Sequence, residues 1–220
     1  REQMNAMSNP TLAPYAKEGE CELRVTAKAA TDEEAQALLQ PTVAQVKALF
    51  GDRVYGVDVP SLEHVVIQDL KGKGLTLGVA ESCTGGLIAK RLTDVPGASA
   101  AFKGGIVSYT NEIKENVLRV PEHLLTQFGA VSGEVAAAMA QGARRVLGCD
   151  VALSSTGVAG PDRDDWDNEV GTMFVAIATY EGTHVRPLHL GTRPMRDRLR
   201  TQTASHAFDL ARRYLSGLEY

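Results

Sequence analysis

The chain has 220 residues, 44% of them apolar and 23% charged, which excludes disordered, collagen-like and coiled-coil proteins. Lys and Arg total 23 against 27 Asp and Glu, a net charge of −4 that argues against nucleic acid as the main partner, because phosphate contacts need a basic face. No run of about 18 apolar residues occurs, so the sequence predicts no membrane span.

The first 60 residues predict a small α+β unit. Apolar and polar residues alternate in the first strand, and Thr31 and Glu34 have the spacing of a capping box before a helix that Pro41 kinks or splits. Pro60–Ser61 is the predicted boundary to a second domain over residues 61–220. The predicted elements are a strand Glu22–Lys28, a helix from Thr31 to Phe50, and a strand Val54–Val59.

Residues 61–220 alternate between strands and helices, which is typical of a sheet covered on both faces. We therefore predict a three-layer α/β/α sandwich with a mixed sheet, in addition to the small α+β amino-terminal unit. The predicted elements are helix Ser61–Lys71, strand Leu75–Ala80, a helix to Thr93, strand Gly105–Tyr109, a helix carrying Lys114, a short helix from Pro121 to Phe128, a helix capped by Ser132 and ending at Leu147, strand Val151–Ser155, an antiparallel pair Val170–Tyr180 and Val185–Leu190, and helix Arg196–Leu215.

A polar loop with two glycines, Glu81-Ser82-Cys83-Thr84-Gly85-Gly86, joins a predicted strand to the next helix. Ligands bind at the carboxyl ends of strands in such sheets, and glycines let a ligand approach the backbone. The free N–H groups of the helix start can bind an anion or a developing oxyanion. The alternative is a structural helix start, with Ser82 or Thr84 as the N-cap.

Ser82 and Cys83 are both candidate nucleophiles. A thiolate at a helix start is the stronger one, but a cysteine nucleophile usually works with a histidine base. None of the five histidines lies at a predicted strand-to-loop junction: His64, His123, His184, His189 and His206. A serine activated by a neutral lysine needs no histidine.

Lys114 is the candidate base. Asn111 is a suitable N-cap, which would place Lys114 in the first helical turn, where the helix dipole disfavours a cation. Partial burial would lower its pKa further from about 10.4, in the direction a general base requires. The alternative is an ordinary solvated lysine.

Two more segments are candidate ligand sites. The run Ser154–Pro161 places small residues at the end of a strand, where a ligand floor and a plain turn are both consistent with the pattern. Arg196 and Arg200 lie one helical turn apart and could fork a phosphate, with Arg193 and Arg198 nearby. The alternative is a solvated basic helix start.

The sequence contains neither a metal-binding motif nor a signal peptide. Cys21, Cys83 and Cys149 are too few and too far apart for a disulfide framework or a CxxC zinc site, and an odd cysteine count fits a reducing compartment. Residues 1–10 are polar and lack the apolar core of a signal peptide. We expect a cytoplasmic protein that holds neither a metal nor a cofactor.

The run GVAESCTGGLIAKRLTDVPGASAAFKGGIVSYTNEIK closely resembles the C-terminal domain of the CinA family, known as nicotinamide mononucleotide deamidases. The likeness continues through GAVSGEVAAAMA, STGVAGP and VGTMFVAIAT, and covers about residues 61–216. The first 60 residues, with NPTLAPYAKEGECELRVTAKA, resemble the small KH-like middle domain of the full-length family members. Those proteins also carry an amino-terminal domain similar to molybdopterin-binding folds, which we expect to be missing from this chain.

The resemblance implies a serine amidohydrolase that converts nicotinamide mononucleotide to nicotinate mononucleotide and ammonia. It assigns Ser82 as nucleophile, Lys114 as base and Tyr109 as the hydroxyl partner of that base. Arg193 is a rival to the two helix arginines. Together with the loops above, this gives a substrate-binding set of Thr84, Gly85, Gly86, Ser99, Thr156, Gly157, Arg196 and Arg200.

The sequence departs from the family in two places. Family members read GPxGG and then a Lys, whereas this chain reads GPDRDDWDNEVGT, and the Gly-Asp of the family's GDR motif is missing. The altered 162–169 loop keeps open a non-catalytic pyridine-nucleotide-binding module. Nucleic-acid binding by the KH-like unit is disfavoured because that unit lacks a GxxG clamp. The expected partner is nicotinamide mononucleotide, without nucleic acid or membrane, and self-association stays open.

Overall fold

The computed structural model describes Met4, Ala6–Gly191 and Met195–Tyr220. The chain divides into two compact units, the first ending at Val57 and the second beginning at Asp58. In the described part of the chain, no helix is both long and apolar enough to cross a bilayer.

The first unit is a β-hairpin followed by one helix. Strands β1 (Thr11–Lys17) and β2 (Glu20–Thr26) pair antiparallel, and α1 spans Asp32–Phe50. The Thr31 hydroxyl accepts a hydrogen bond from the Glu34 N–H (3.2 Å), so the predicted cap is confirmed, whereas the helix continues through Pro41 without splitting.

The predicted strand–helix–strand order of this unit is wrong. The partner of β2 is β1, which precedes it, and Val54–Val59 is not a strand. The segment Thr11–Lys17 lacks the strict alternation of a half-buried strand and contains Pro14, which a two-stranded sheet tolerates because both of its strands are edges.

The second unit is built on a five-stranded mixed sheet with strand order β4-β3-β5-β6-β7. Strands β3, β4 and β5 run parallel, and β6 and β7 are antiparallel additions beyond β5. The predicted fold class is confirmed. The elements are α2 (Leu62–Lys73), β3 (Leu77–Glu81), α3 (Leu87–Thr93), β4 (Phe102–Val107), α4 (Asn111–Asn116), α5 (Glu122–Phe128), α6 (Gly133–Leu147), β5 (Val151–Gly157), β6 (Thr172–Ala178), β7 (Thr183–His189) and α7 (Arg196–Leu215).

Alternate residues of the central strands face different helices. Ala80 of β3 packs in one cluster with Val135 and Met139 of α6, whereas the neighbouring Val79 lies on the side of α3. On the α3 side, α7 packs against α2 and α3, and Arg91 of α3 is bonded to Ser205 of α7 (2.9 Å). Helices therefore cover both faces, because apolar side chains on each face of a parallel sheet must be buried.

Helix α6 also contacts the segment that follows α4. Gly142 lies so close to the Leu118 backbone that a Cβ at this position would overlap the Leu118 carbonyl oxygen. The Arg145 guanidinium donates to the same oxygen (2.9 Å), and the Val120 N–H donates to the Lys114 carbonyl (3.0 Å). The close helix–backbone approach thus supports the segment that carries Lys114.

Candidate active site

The candidate site lies at the edge of the sheet where β3, β4 and β5 end. The Ser82 N–H donates to the Ser155 carbonyl (2.9 Å), and the Ser108 N–H donates to the Glu81 carbonyl (2.8 Å). These bonds join the three segments that follow the parallel strands. The carboxyl edge is where α/β sheets bind ligands.

Lys114 reaches Ser82 across this edge. Its Nζ lies 3.3 Å from Ser82 Oγ, 2.9 Å from the Ser108 carbonyl oxygen and 3.4 Å from the Tyr109 carbonyl oxygen. The lysine is 1% exposed, and no carboxylate in the described part of the chain forms an ion pair with it. A buried ammonium without a counter-ion is costly, so burial shifts the protonation equilibrium of Lys114 toward the neutral amine.

Burial lowers the pKa of Lys114 from 10.5 to about 8. The expected direction is therefore found, but its cause differs from the sequence argument. Helix α4 has only six residues, and its N-cap is Thr110, whose hydroxyl accepts from the Ile113 N–H, and not Asn111. Desolvation of the side chain, and not the helix start, is the main cause.

Cys83 is a poor nucleophile in this setting. It is buried, and burial raises the pKa of its thiol to about 12. A thiol in this state is almost fully protonated at neutral pH, and the thiolate is the reactive form. The structure therefore favours Ser82 over the neighbouring cysteine.

Glu81 organises the loop that carries Ser82, a role the sequence analysis missed. Its carboxylate is 1% exposed. It accepts bonds from the Thr84 hydroxyl (2.7 Å) and from the N–H groups of Gly86 (2.9 Å), Ile88 (3.0 Å) and Ala89 (2.8 Å). Neither Ser82 nor Thr84 caps α3, because the carboxylate satisfies its first N–H groups. An acidic residue at a strand end before a glycine-rich helix start was the available signal.

Two of the predicted oxyanion donors of this loop, the N–H groups of Gly85 and Gly86, are bonded within the loop. The Gly86 N–H donates to Glu81, and the Gly85 N–H donates to the Ser82 carbonyl (3.1 Å). Thr84 is fully buried, with its hydroxyl between Glu81 and the Ser155 hydroxyl (2.6 Å). The Cys83 N–H, next to the nucleophile, has no acceptor among the described residues.

Thr156 and Gly157 lie at the same edge, at the end of β5. The Thr156 hydroxyl donates to the Ala130 carbonyl (2.7 Å), and the residue is fully buried. Gly157 packs directly on Met173 of the neighbouring strand. These two residues directly follow Ser155, whose carbonyl is bonded to the Ser82 N–H, and the threonine hydroxyl is already bonded.

Ser99 lies away from these residues. It is an exposed residue of a short 3₁₀ turn, Ala98–Ala100, which precedes β4. Because β3 and β4 run parallel and Phe102 pairs with Leu77, this turn lies near the amino-terminal edge of the sheet. The structure does not bring Ser99 together with Ser82 within this chain.

The two arginines of α7 make different contacts. Arg196 is exposed and donates to the Gly160 carbonyl (2.6 Å) and the Tyr109 hydroxyl (3.1 Å). Arg200 donates to the carbonyls of Cys83 (3.2 Å) and Thr84 (2.8 Å). Arg193 lies outside the described residues. The Tyr109 hydroxyl is thus bonded to Arg196, whereas Lys114 contacts only the carbonyl of this tyrosine.

The altered loop 162–169 has its own internal bonds. The Asp164 carboxylate accepts from the N–H groups of Trp166 (3.1 Å) and Asn168 (2.8 Å), and Arg163 pairs with Asp167 (3.0 Å). The indole lies against Gly129, where a Cβ would be 2.8 Å from three ring atoms. The acidic loop is thus held by bonds among its own residues, and none of these bonds involves Ser82 or Lys114.

The fold and this edge define an α/β domain with a buried lysine against a serine at the carboxyl ends of parallel strands. The model of the CinA C-terminal domain matches residues 59–215, and that of the CinA KH domain matches residues 2–56. The chain therefore belongs to the CinA family, and the resemblance noted in the sequence is confirmed.

Relatives agree with this assignment. A CinA-like protein of Dictyoglomus turgidum is 43% identical over 218 residues, which are 99% of this chain and 53% of that protein. The structure of the competence/damage inducible protein CihA from Agrobacterium tumefaciens has 37% identity and a TM-score of 0.65, covering 68% of this chain and 90% of that one. A CinA superfamily protein of Klebsiella pneumoniae has 27% identity and a TM-score of 0.68, covering 71% and 96%. The chain spans about half the length of the curated relatives it matches.

Proposed function

We propose that this chain is a serine amidohydrolase that hydrolyses the carboxamide of nicotinamide mononucleotide to nicotinate mononucleotide and ammonia. The observation that carries the proposal is the 3.3 Å contact between Ser82 Oγ and the Nζ of a buried, unpaired Lys114. The substrate follows from the family resemblance. We also propose residues 61–220 as the catalytic domain and residues 1–60 as a KH-like domain.

The surroundings of Nζ suit a base. A neutral amine has two N–H donors and one lone pair. The carbonyls of Ser108 and Tyr109 accept from Nζ, and Ser82 is the third oxygen nearby, at 3.3 Å. With both N–H groups bonded to carbonyls, the lone pair is left for the serine hydroxyl. Carbonyls cannot give up a proton, so the serine is the partner that Lys114 can deprotonate.

Acylation then proceeds in two steps. Ser82 Oγ attacks the carboxamide carbon while Lys114 accepts the hydroxyl proton, and the carbonyl oxygen becomes an oxyanion that accepts from the Cys83 N–H. Lys114 returns the proton to the nitrogen, the C–N bond breaks, and ammonia leaves. In deacylation Lys114 takes a proton from water as the water oxygen attacks the ester carbon. It then gives this proton to Ser82 Oγ as the C–Oγ bond breaks, which releases the acid product and free Ser82. The Tyr109 hydroxyl is not needed as a relay.

The 5′-phosphate of the substrate requires a cationic contact. Arg196 is exposed at this edge and touches Tyr109 and Gly160, which follow β4 and β5 respectively. A guanidinium in this position can reorient from a carbonyl to a phosphate, with which it forms stronger, charge-assisted bonds. Arg196 is therefore the proposed phosphate ligand.

Ammonia release from nicotinamide mononucleotide tests the proposal. The wild-type chain is expected to release ammonia, and Ser82→Ala to lose at least about a thousandfold in turnover. Cys83→Ala removes the rival nucleophile but keeps the backbone N–H assigned to the oxyanion, so it should retain turnover. Calorimetric binding of the nucleotide to Ser82→Ala should be retained, since only one hydroxyl is lost. Binding by the wild type without any ammonia release would instead indicate the non-catalytic module.

A further inference from the structure

A continuous path of hydrogen bonds connects Arg200 to the peptide that follows the nucleophile. Arg200 Nη2 donates to the Thr84 carbonyl (2.8 Å). The N–H of the same peptide unit, that of Gly85, donates to the Ser82 carbonyl (3.1 Å). The Ser82 carbonyl and the Cys83 N–H belong to one peptide unit. The described residues supply no acceptor for this Cys83 N–H.

Two further bonds fix the Arg200 guanidinium in this position. Its Nε donates to the Cys83 carbonyl (3.2 Å), and its Nη1 lies 3.3 Å from the Asp197 carboxylate. All three guanidinium nitrogens are thus engaged, two of them by the backbone of the Ser82 loop. Three of the five guanidinium N–H groups are bonded within the chain, so a phosphate would compete with the Ser82 loop for this arginine.

Hydrogen bonds arranged in series polarise one another. A charged donor on the Thr84 carbonyl makes the Gly85 N–H a better donor, and the Gly85 bond to the Ser82 carbonyl has the same effect on the Cys83 N–H. The gain per bond is modest, on the order of 10–30%. It acts on the group that faces a new negative charge only when Ser82 has attacked, so it favours the transition state over bound substrate.

We propose that Arg200 is a positioning residue, which holds and polarises the Ser82–Cys83 peptide so that the Cys83 N–H stabilises the oxyanion. This inference rests on the proposed function, in which Ser82 is the nucleophile. The two arginines of α7 then have different roles. Arg196 binds the substrate phosphate, and Arg200 acts on the oxyanion through the Cys83 N–H.

Kinetics of matched variants test the role. Arg200→Met should lower kcat by about threefold to tenfold with KM nearly unchanged, and equally for nicotinamide mononucleotide and its riboside. Arg200→Lys keeps a charged donor and should recover part of the lost kcat. Arg198→Met is the control, because it removes the same charge from an exposed position of the same helix.

A spectroscopic measurement tests the path without turnover. The chain has three cysteines, so ¹⁵N-cysteine labelling gives three amide signals, and Cys83→Ser identifies the one of interest. Arg200→Met should move the Cys83 amide proton upfield, while the signals of Cys21 and Cys149 stay in place. Arg198→Met should move none of the three.

The outcomes are distinct. A fall in kcat for both substrates together with the Cys83 shift supports the inference. A rise in KM confined to the phosphorylated substrate, or a Cys83 signal that does not respond to Arg200→Met, overturns it. If the wild type releases no ammonia, the proposed function fails, and the Cys83 signal still reports whether Arg200 polarises this peptide. Unchanged Cys21 and Cys149 signals exclude unfolding as the cause.

Discussion

The Tyr109 hydroxyl lies 3.1 Å from Arg196 Nη2, and Lys114 Nζ contacts the carbonyl of the same tyrosine at 3.4 Å. The side chain and the backbone of one residue therefore serve different parts of the site. The backbone carbonyl orients the base, whereas the exposed phenol holds the arginine that we assign to the substrate phosphate.

Tyr109→Phe is expected to leave kcat within about threefold of wild type, because no proton passes through the hydroxyl. The KM for nicotinamide mononucleotide should rise modestly, since Arg196 loses one contact. Steady-state ammonia release checks both values. A loss of kcat as large as that expected for Ser82→Ala would return the tyrosine to the catalytic role implied by the resemblance.

Arg196→Ala should raise the KM for nicotinamide mononucleotide by about tenfold or more and leave the KM for the riboside nearly unchanged. Only the phosphorylated substrate has a group for this guanidinium to bind. The two KM values are measured side by side in one assay. Equal losses for both substrates would mean that Arg196 acts through its bonds to Gly160 and Tyr109 instead.

Turnover should rise with pH through a group of pKa about 8, because Lys114 is a base only when neutral and burial lowers its pKa to that value. Lys114→Arg should be inactive, since a guanidinium stays protonated and accepts no proton. Turnover of wild type and Lys114→Arg, measured as a function of pH, tests the base role of Lys114. Activity of Lys114→Arg near that of wild type would contradict the base assignment.

The lowered pKa of Lys114 should also make the free energy of unfolding depend on pH. Between pH 8 and 10.5 the unfolded chain binds a proton at Lys114 that the folded chain does not, so the free energy of unfolding rises with pH. The shift from 10.5 to about 8 corresponds to about 3 kcal/mol. Urea denaturation gives the free energy of unfolding of wild type and Lys114→Met across this range. The wild-type value should rise by about 3 kcal/mol relative to that of the variant. Parallel curves for the two proteins would show that the lysine is not perturbed.

Glu81→Ala should lower the free energy of unfolding by about 3 kcal/mol, because four donors, two of them fully buried, lose their acceptor. Glu81→Gln should be intermediate, since an amide keeps one oxygen but turns its NH₂ toward N–H groups. Glu122→Gln is the matched control in an exposed first helical turn and should change stability by less than about 0.5 kcal/mol. Denaturant midpoints compare the three, and similar losses for Glu81→Gln and Glu122→Gln would contradict this role.

Local patterns in the sequence were sufficient for most of the second unit. Ser61 and Ser132 cap α2 and α6 as predicted, accepting from the N–H groups of His64 (3.4 Å) and Val135 (3.3 Å). Strand limits shifted by a few residues, as for β3, predicted over Leu75–Ala80 and found at Leu77–Glu81. Caps and apolar runs are local signals, which is why they could be read without the fold.

The roles of Glu81 and Lys114 could not be read in this way. Whether an acidic residue is buried against helix N–H groups, or a lysine is buried without a counter-ion, depends on segments far apart in the chain. Lys114 meets Ser82 across 32 residues, and Arg200 meets Thr84 across 116. The parallel pairing of β3 with β4 brings Lys114 to Ser82, and the packing of α7 against α3 brings Arg200 to Thr84. The assignment of Ser82, Lys114 and the substrate set to catalysis stays a prediction until tested.

Gly142 offers a way to change catalysis from a distance. It touches neither the substrate site nor Ser82, yet its lack of a side chain lets α6 approach the Leu118 backbone, which continues from the segment carrying Lys114. A single added methyl group at position 142 would push that segment away from the helix. Substitutions at Gly142 can therefore vary the spacing between Lys114 and Ser82 through α6, with both of these side chains left unchanged.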